Sequence, residues 1–303
     1  MLKFDLVKKE DKDWITELLT MEPTMGCEYD FVTNYLWNHV FHRRVARCGD
    51  RLVMRLLEGK DVCYTYPVGR GPLTPVLDEM EADAKEHGVP LRMVCVPTAF
   101  WEKIEAECPG RFVAEADRDS FDYIYAIDKL ADLKGKKMHA KRNHINRFNE
   151  NCPDWMFEPM TAANLEECYA MAEEWKNRRW EEATEQEKRQ YTDERAAIGR
   201  ALENMEELGI EGGLIRVEGR VVAFAVGSRL SLDGYDIHFE KAYDDIQGAY
   251  SAINREMARY VRSKYPDVKW INREDDVGIE GLRKAKLSYH PDLLLEKFTV
   301  TPA

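Results

Sequence analysis

Apolar residues recur along this chain in two rhythms. Helical spacing, which brings i, i+3, i+4 and i+7 onto one face, predicts a helix over 11–19, where Trp14, Ile15, Leu18 and Leu19 line up. It predicts another over 75–87, carried by Val76, Leu77, Met80 and Ala84 and stopped by Gly88 and Pro90. Between them the aromatic stretch 29–41 reads as helical, with Phe31, Tyr35 and Trp37 or Asn38 as core candidates. Strand-like runs cover 52–57 and 62–67, separated by the turn residues Glu58-Gly59-Lys60. A strand over 91–96, a helix over 98–108 and strands over 112–116 and 121–126 complete the first half.

The second half follows a similar order. A strand over 156–160 leads to helices over 163–179 and 185–207. Strands follow over 211–217, 220–228 and 234–243, the first two joined by the hairpin pair Glu218-Gly219. A helix over 249–264, a strand over 268–272, a helix over 279–286 and a strand over 293–300 close the chain. Two successive α+β units of like order predict either a duplication or two unrelated domains. The expected boundaries are a first domain over 1–132, a connecting helix within 133–150 and a second domain over 151–303.

Composition narrows the class. Of 303 residues, 44% are apolar and 11% aromatic, too rich for a disordered chain. The apolar stretch Val221–Gly227 is far short of the roughly 20 residues that span a bilayer. The first ten residues alternate charge and apolar side chains with no signal-peptide core, so a soluble cytoplasmic protein with no membrane span is expected. Seven cysteines are scattered without a Cys-x-x-Cys, and the seven histidines lack ligand spacing, so neither a disulfide framework nor a metal site is expected.

A net charge of −12 excludes binding to nucleic acid by bulk charge. One local exception stands out. Residues 133–149 hold Lys134, Lys136, Lys137, Lys141, Arg142 and Arg147 and not one acid. Met138, Ile145 and Phe148 make an apolar stripe that can dock this segment on the protein. The cations then suit either a polyanion such as RNA or the acidic remainder of the chain.

This segment also carries a resemblance. The runs Phe121–Tyr125 and Leu133–Phe148, with Ile237–Ala242 and Ile271–Pro291, resemble soluble relatives of the catalytic domain of phosphatidylglycerol lysyltransferases. The resemblance covers nearly the whole chain. It implies a tandem pair of GNAT-like (acyl-CoA N-acyltransferase-like) domains, as in the Fem peptidyltransferases, each a mixed, mostly antiparallel sheet flanked by helices. It further implies transfer of an aminoacyl group from aminoacyl-tRNA, with no separate cofactor required. The membrane half of the lysyltransferases has no counterpart here, so a small-molecule or peptide acceptor is expected, with tRNA met through Lys137, Lys141, Arg142 and the neighbouring Asn143.

Acyl transfer needs a hold on the donor, a stabiliser for the developing oxyanion and a destination for the nucleophile's proton. GNAT enzymes hold acyl-CoA at a glycine-rich strand-to-helix junction, which maps here to Tyr243–Tyr250 with Gly248 in register. Asp245 and Tyr250 depart from that pattern, a charge and a ring where the pyrophosphate would approach, so acyl-CoA is the alternative donor. The densest polar cluster is Asn272-Arg273-Glu274-Asp275-Asp276, after a strand and before the helix carrying Arg283 and Lys286. On residues alone this is a ligand site or a solvated loop. With the resemblance, Glu274 is expected to hold a substrate ammonium and Arg283 to stabilise an oxyanion, with Asn272, Arg273, Asp275 and Lys286 binding the donor. Strand alternation places His238 and Glu240 on one face, as a proton acceptor and its orienter or as a structural pair. Trp175, Trp180, Arg178 and Arg179 are pocket candidates or core. A non-catalytic protein that binds RNA or a metabolite on the same fold is the other function class.

Overall fold

The computed structural model describes residues 2–58, 61–230 and 233–303, so the 58–60 turn lies partly outside the described residues. The chain divides into two compact units, and the division is not simply sequential. The first holds residues 1–123, 275–283 and 294–303; the second holds 124–274 and 284–293. This differs from the expected boundaries at 132 and 150 because two late segments return to the first unit.

The first unit contains strands β1 (Asp5–Leu6), β2 (Arg44–Cys48), β3 (Arg51–Glu58), β4 (Asp61–Tyr64), β5 (Val68–Gly69), β6 (Met93–Pro97) and β7 (Phe112–Ala116). Its helices are α1 (Lys12–Met21), α2 (Phe31–Leu36), α3 (Asn38–Phe41), α4 (Thr74–Glu86) and α5 (Thr98–Glu107). The 29–41 stretch is thus two short helices, α2 and α3, interrupted at Trp37, with Phe31 buried and Tyr35 only partly so.

The second unit begins within β8 (Asp122–Ala126). It continues through α6 (Ile127–Asp132), α7 (His139–Asn151), β9 (Met156–Pro159), α8 (Leu165–Trp180), α9 (Glu185–Glu203) and α10 (Met205–Leu208). Then come β10 (Ile210–Val217), β11 (Arg220–Arg229), β12 (Gly234–Ala242), α11 (Ala249–Lys264) and β13 (Trp270–Asn272), while α12 (Glu280–Leu287) and β14 (Leu293–Leu295) each straddle the division. The last strand is β15 (Lys297–Pro302).

Two separate sheets result. The first runs β1-β2-β3-β4-β6-β15-β7, with β5 paired to β3. The second runs β14-β8-β13-β12-β11-β10-β9. Each is mostly antiparallel with one parallel neighbour, β4 with β6 and β12 with β13. In each, the strand beyond the parallel pair is antiparallel and comes from a distant part of the chain. β15 fills that position beside β6, and β8 fills it beside β13.

β15 carries a buried cation into the first unit. Lys297, 0% exposed, donates to Glu28 at 2.6 Å and Asp122 at 2.7 Å, with the Cys27 sulfur 3.7 Å away. Burial alone would push its ammonium down, but the two carboxylates and the thiol hold its pKa well above the ordinary lysine value. Replacing Lys297 with Gln leaves two buried carboxylates short of a cation. The expected loss is about 3–5 kcal/mol in chemical denaturation, the usual cost of removing one partner of a buried ion pair; a loss under about 1 kcal/mol contradicts this account.

Candidate active site

β12 and β13 pair in parallel only from Gly234/Trp270 to Asp236/Asn272; β12 then continues to Ala242 paired with β11 alone, while β13 ends. The two strands therefore part at their C-terminal ends, where open α/β sheets accommodate ligands. His238 and Glu240 lie on β12 beyond the parting, and Arg273 and Glu274 follow β13.

His238 occupies a β-bulge. Ile237 pairs with Gly227 and Phe239 with Val226, leaving His238 as the extra residue. A bulge breaks strict alternation and re-aims a side chain, so the expected His238–Glu240 pairing is replaced by another. His238 Nδ1 lies 3.3 Å from Glu274 Oε1 and 3.7 Å from Asp236 Oδ2, and Nε2 lies 2.8 Å from Ser228 Oγ. Because a carboxylate only accepts, Nδ1–H donates to Glu274 and Nε2 accepts from the Ser228 hydroxyl. The imidazole is wholly buried, whereas the Glu274 side chain keeps 17% exposure. Glu274 is therefore the more accessible member of this pair, and His238 holds its carboxylate.

Glu274 has φ +54°, a left-handed conformation that is strained for a non-glycine residue, and its N–H is held by Asn272 Oδ1 at 2.7 Å. Glu240 instead accepts from Arg273 at 3.0 Å and from Asn254 at 2.9 Å. Lys286 is buried and donates to the Arg273 carbonyl at 2.5 Å, within the second unit.

Arg283 belongs to the first unit and is engaged there. It grips Asp276 through Nε at 2.9 Å and Nη2 at 2.7 Å, and Nη2 also reaches Asp119 at 2.6 Å. Tyr123 donates to the same Asp276 carboxylate at 2.5 Å. Burial would raise the pKa of Asp276, but the Arg283 and Tyr123 hydrogen bonds bring it down to about 2. The oxyanion role expected of Arg283 thus gives way to an ion-pair role, and Asp275, partly buried, opens the same returning segment.

The strand-to-helix junction is also filled. Gly248 has φ +88°, and a Cβ there would run into the His144 carbonyl of α7. The glycine serves close helix packing where an acyl-CoA pyrophosphate was the expected neighbour. Asp244 and Asp245 pair with Arg179 and Arg178. Trp175 is core: it donates to the Ala242 carbonyl at 3.1 Å and is covered by Arg179 and Lys241.

Along α7 the apolar stripe is buried at Met138, Ile145 and Phe148. Arg142 spends its guanidinium on the Leu133 and Gly135 carbonyls. With Asp132, His139, Asn143, Asn146, Arg255 and Arg259 it lines a cavity of about 380 Å³. Lys137 is exposed.

Comparison with known proteins agrees with this architecture. The family described as phosphatidylglycerol lysyltransferase, C-terminal, matches residues 22–301. The chain belongs to that family. A crystal structure of a conserved protein of unknown function from Bacteroides thetaiotaomicron is 37% identical over the whole of both chains, with a TM-score of 0.91. The structure of L-PGS from Bacillus licheniformis, 14% identical, shares the fold with a TM-score of 0.64 over 98% of this chain and 93% of that one. An uncharacterised protein of Mycoplasmoides gallisepticum is 21% identical over 60% of this chain, and the match spans 56% of that relative's length. The architecture expected from the resemblance, two mostly antiparallel sheets flanked by helices, is the one observed, and it is shared with the crystal structure of FemX, 11% identical with a TM-score of 0.53 over 98% of this chain and 96% of that one. Among the described residues no helix is long and apolar enough to cross a membrane.

Two stability tests follow from these contacts. Gly248→Ala meets both a positive φ and a carbonyl, so it should cost about 1–3 kcal/mol in denaturant unfolding. Arg283→Lys loses the planar fork on Asp276 and should lower the melting temperature at neutral pH. Asp276 contributes stability above about pH 4 that fades as the pH falls through about 2, so the gap between parent and variant should narrow on acidification. A gap independent of pH, measured by thermal melts from pH 7 to pH 2, contradicts the Asp276 assignment.

Proposed function

We propose that this chain transfers an aminoacyl group from aminoacyl-tRNA to an amine or hydroxyl acceptor. The observation that carries the proposal is Glu274: a partly open carboxylate where β12 and β13 part, backed by a buried histidine, in a chain matched along nearly all its length by the lysyltransferase C-terminal family. A carboxylate there suits the α-ammonium of an aminoacyl ester and, through His238, keeps a fixed orientation. The acceptor's nucleophile attacks the ester carbonyl carbon, the bond from that carbon to the ribose oxygen of the tRNA breaks, and the nucleophile's proton leaves with the ribose hydroxyl. Acyl-CoA is the weaker donor, because α7 packs against the glycine where its pyrophosphate was expected. The basic cavity beside Arg142 and Asn143 supplies a face for the tRNA, and a small molecule or peptide is the acceptor.

The test is transfer of a labelled amino acid from charged tRNA into acceptors of a cell extract. Glu274→Gln should reduce transfer by on the order of a hundredfold while leaving the melting temperature near that of the parent. Full transfer by Glu274→Gln, or a parent that uses acyl-CoA and ignores charged tRNA, overturns the proposal.

A further inference from the structure

A metal ion selects donor atoms by their spacing around a point, which spacing along the sequence does not reveal when the donors come from different strands. Among the described residues two groups of side chains have such spacing. One, Cys27 with Glu28 and Asp122, already encloses the Lys297 ammonium, which supplies the positive charge there. The other is Asp236, His238 and Glu274, all within the second unit, two of them on β12 and the third just past the end of β13. The Asp236 and His238 side chains are wholly buried, and Glu274 is the open member. From His238 Nδ1 it is 3.3 Å to Glu274 Oε1 and 3.7 Å to Asp236 Oδ2, and the three donor atoms lie within 4.8 Å of one another. The single N–H on Nδ1 serves Glu274 alone, because 3.7 Å is beyond hydrogen-bond reach. Two carboxylates thus converge on one imidazole nitrogen in a place with little water.

We infer that Asp236 Oδ2, His238 Nδ1 and Glu274 Oε1 bind a divalent transition-metal ion of the zinc class. Zinc takes imidazole and carboxylate ligands at about 2.0–2.2 Å in a tetrahedron, which sets neighbouring donor atoms roughly 3.3–3.6 Å apart. The spans of 3.3 and 3.7 Å lie at or just beyond the ends of that range. An imidazole in the set disfavours magnesium and calcium, which prefer shells of oxygen. The other side of the ring is prepared as well. Nε2 lies 2.8 Å from Ser228 Oγ, so with the ion on Nδ1 the ring proton moves to Nε2 and is donated to that hydroxyl. Such an outer hydrogen bond fixes the tautomer and orientation of a metal-bound histidine. Ser228 is itself buried and stands opposite Asp236 in the register of β11 and β12, so ligand and support are set by the same strand pair. Three protein ligands leave the fourth tetrahedral position to water or another small ligand.

The inference stands on coordination geometry and does not depend on transfer. It has a consequence for the proposed reaction all the same. A Glu274 carboxylate bound to the ion is no longer offered to an ammonium, so cation and aminoacyl donor compete for one side chain. The site thereby gives a divalent cation a means of restraining the activity.

The test is calorimetric titration of the full chain, first stripped with a chelator, with zinc chloride, and a parallel titration with cobalt(II) as the spectroscopic probe. One ion should bind per chain, and cobalt should give the intense visible absorption of a tetrahedral site with no sulfur-to-metal charge-transfer band. Glu274→Gln and His238→Gln should each weaken zinc binding at least about tenfold, while Cys27→Ser, in the group that Lys297 already fills, should stay within about twofold. His238 is buried, so melting curves check that its variant folds. Glu274→Gln changes the charge of a partly open side chain with little change of shape, and it keeps the inference testable if the other does not fold. Zinc should also raise the melting temperature of the parent and leave that of Glu274→Gln unmoved. Absence of zinc binding by the parent, undiminished affinity in Glu274→Gln, a sulfur-to-cobalt band or a loss confined to Cys27→Ser overturns the inference. Transfer from charged tRNA by a parent that binds no zinc removes this inference and leaves the transferase reading. Zinc bound through Glu274 in a protein that transfers no amino acid does the reverse.

Discussion

Cys27, Glu28 and Asp122 meet in the interior of the first unit around the ammonium of Lys297, which lies 269 residues along the chain from Glu28 and 175 from Asp122. Two carboxylates in a dry interior are tolerable only with a cation beside them, since unpaired buried charge costs several kcal/mol. That cation arrives on β15, the last strand, which also supplies backbone partners to β6 and β7 on its two sides. The charge requirement and the hydrogen-bond requirement thus select the same segment. A first unit made from residues 1–123 alone would have unpaired strand edges at β6 and β7 and an uncompensated acidic pair. Contacts of such sequence separation are the slowest to form, because the loop must close before they stabilise anything.

The same constraint explains what could and could not be read in advance. Helices and strands announced themselves through period and punctuation: α11 was expected at its observed limits, and the Glu218-Gly219 pair forms the expected two-residue turn with positive φ at both positions, which Gly219 takes freely. The destination of a strand has no such local signal. Nothing in Lys-Phe-Thr-Val-Thr-Pro says that it completes the first sheet and not the second, although a lysine heading an otherwise uncharged strand was a hint that an acidic partner waits inside.

The site was legible in part for a similar reason. Residue types after β13 marked chemistry, and the structure brings Glu274 and His238 together as a hydrogen-bonded pair. Period-two reasoning, however, assigned His238 to Glu240, because a bulge cannot be seen in a strand whose residues all fit the pleat. Arg283 was expected at an oxyanion on the strength of the resemblance, and its spacing gives no sign of the partner it takes. The Asp276 side chain, seven residues back, captures Arg283 first, and the carboxylate is buried so completely that it requires the guanidinium. Arg273, by contrast, lay in the expected cluster, but its stacking on Tyr289 beside Lys141 depends on packing and has no sequence spacing to reveal it.

The basic segment is held to the second unit by packing and backbone contacts. Met138, Ile145 and Phe148 bury their side chains, Arg142 ties down the turn at 133–135, and the His144 carbonyl fills the space that Gly248 leaves open. These contacts consume one cation and fix the helix rigidly. Rigidity matters for the remaining face, because Lys141 reaches Tyr289 only if α7 cannot rotate. A helix free to turn by one residue, about 100°, would carry that ammonium away from the Tyr289 ring. A segment that looks from its charges like an arm for a polyanion is thus first a structural member. The glycine at 248 contributes to that role by what it lacks, since a side chain there would meet the His144 carbonyl.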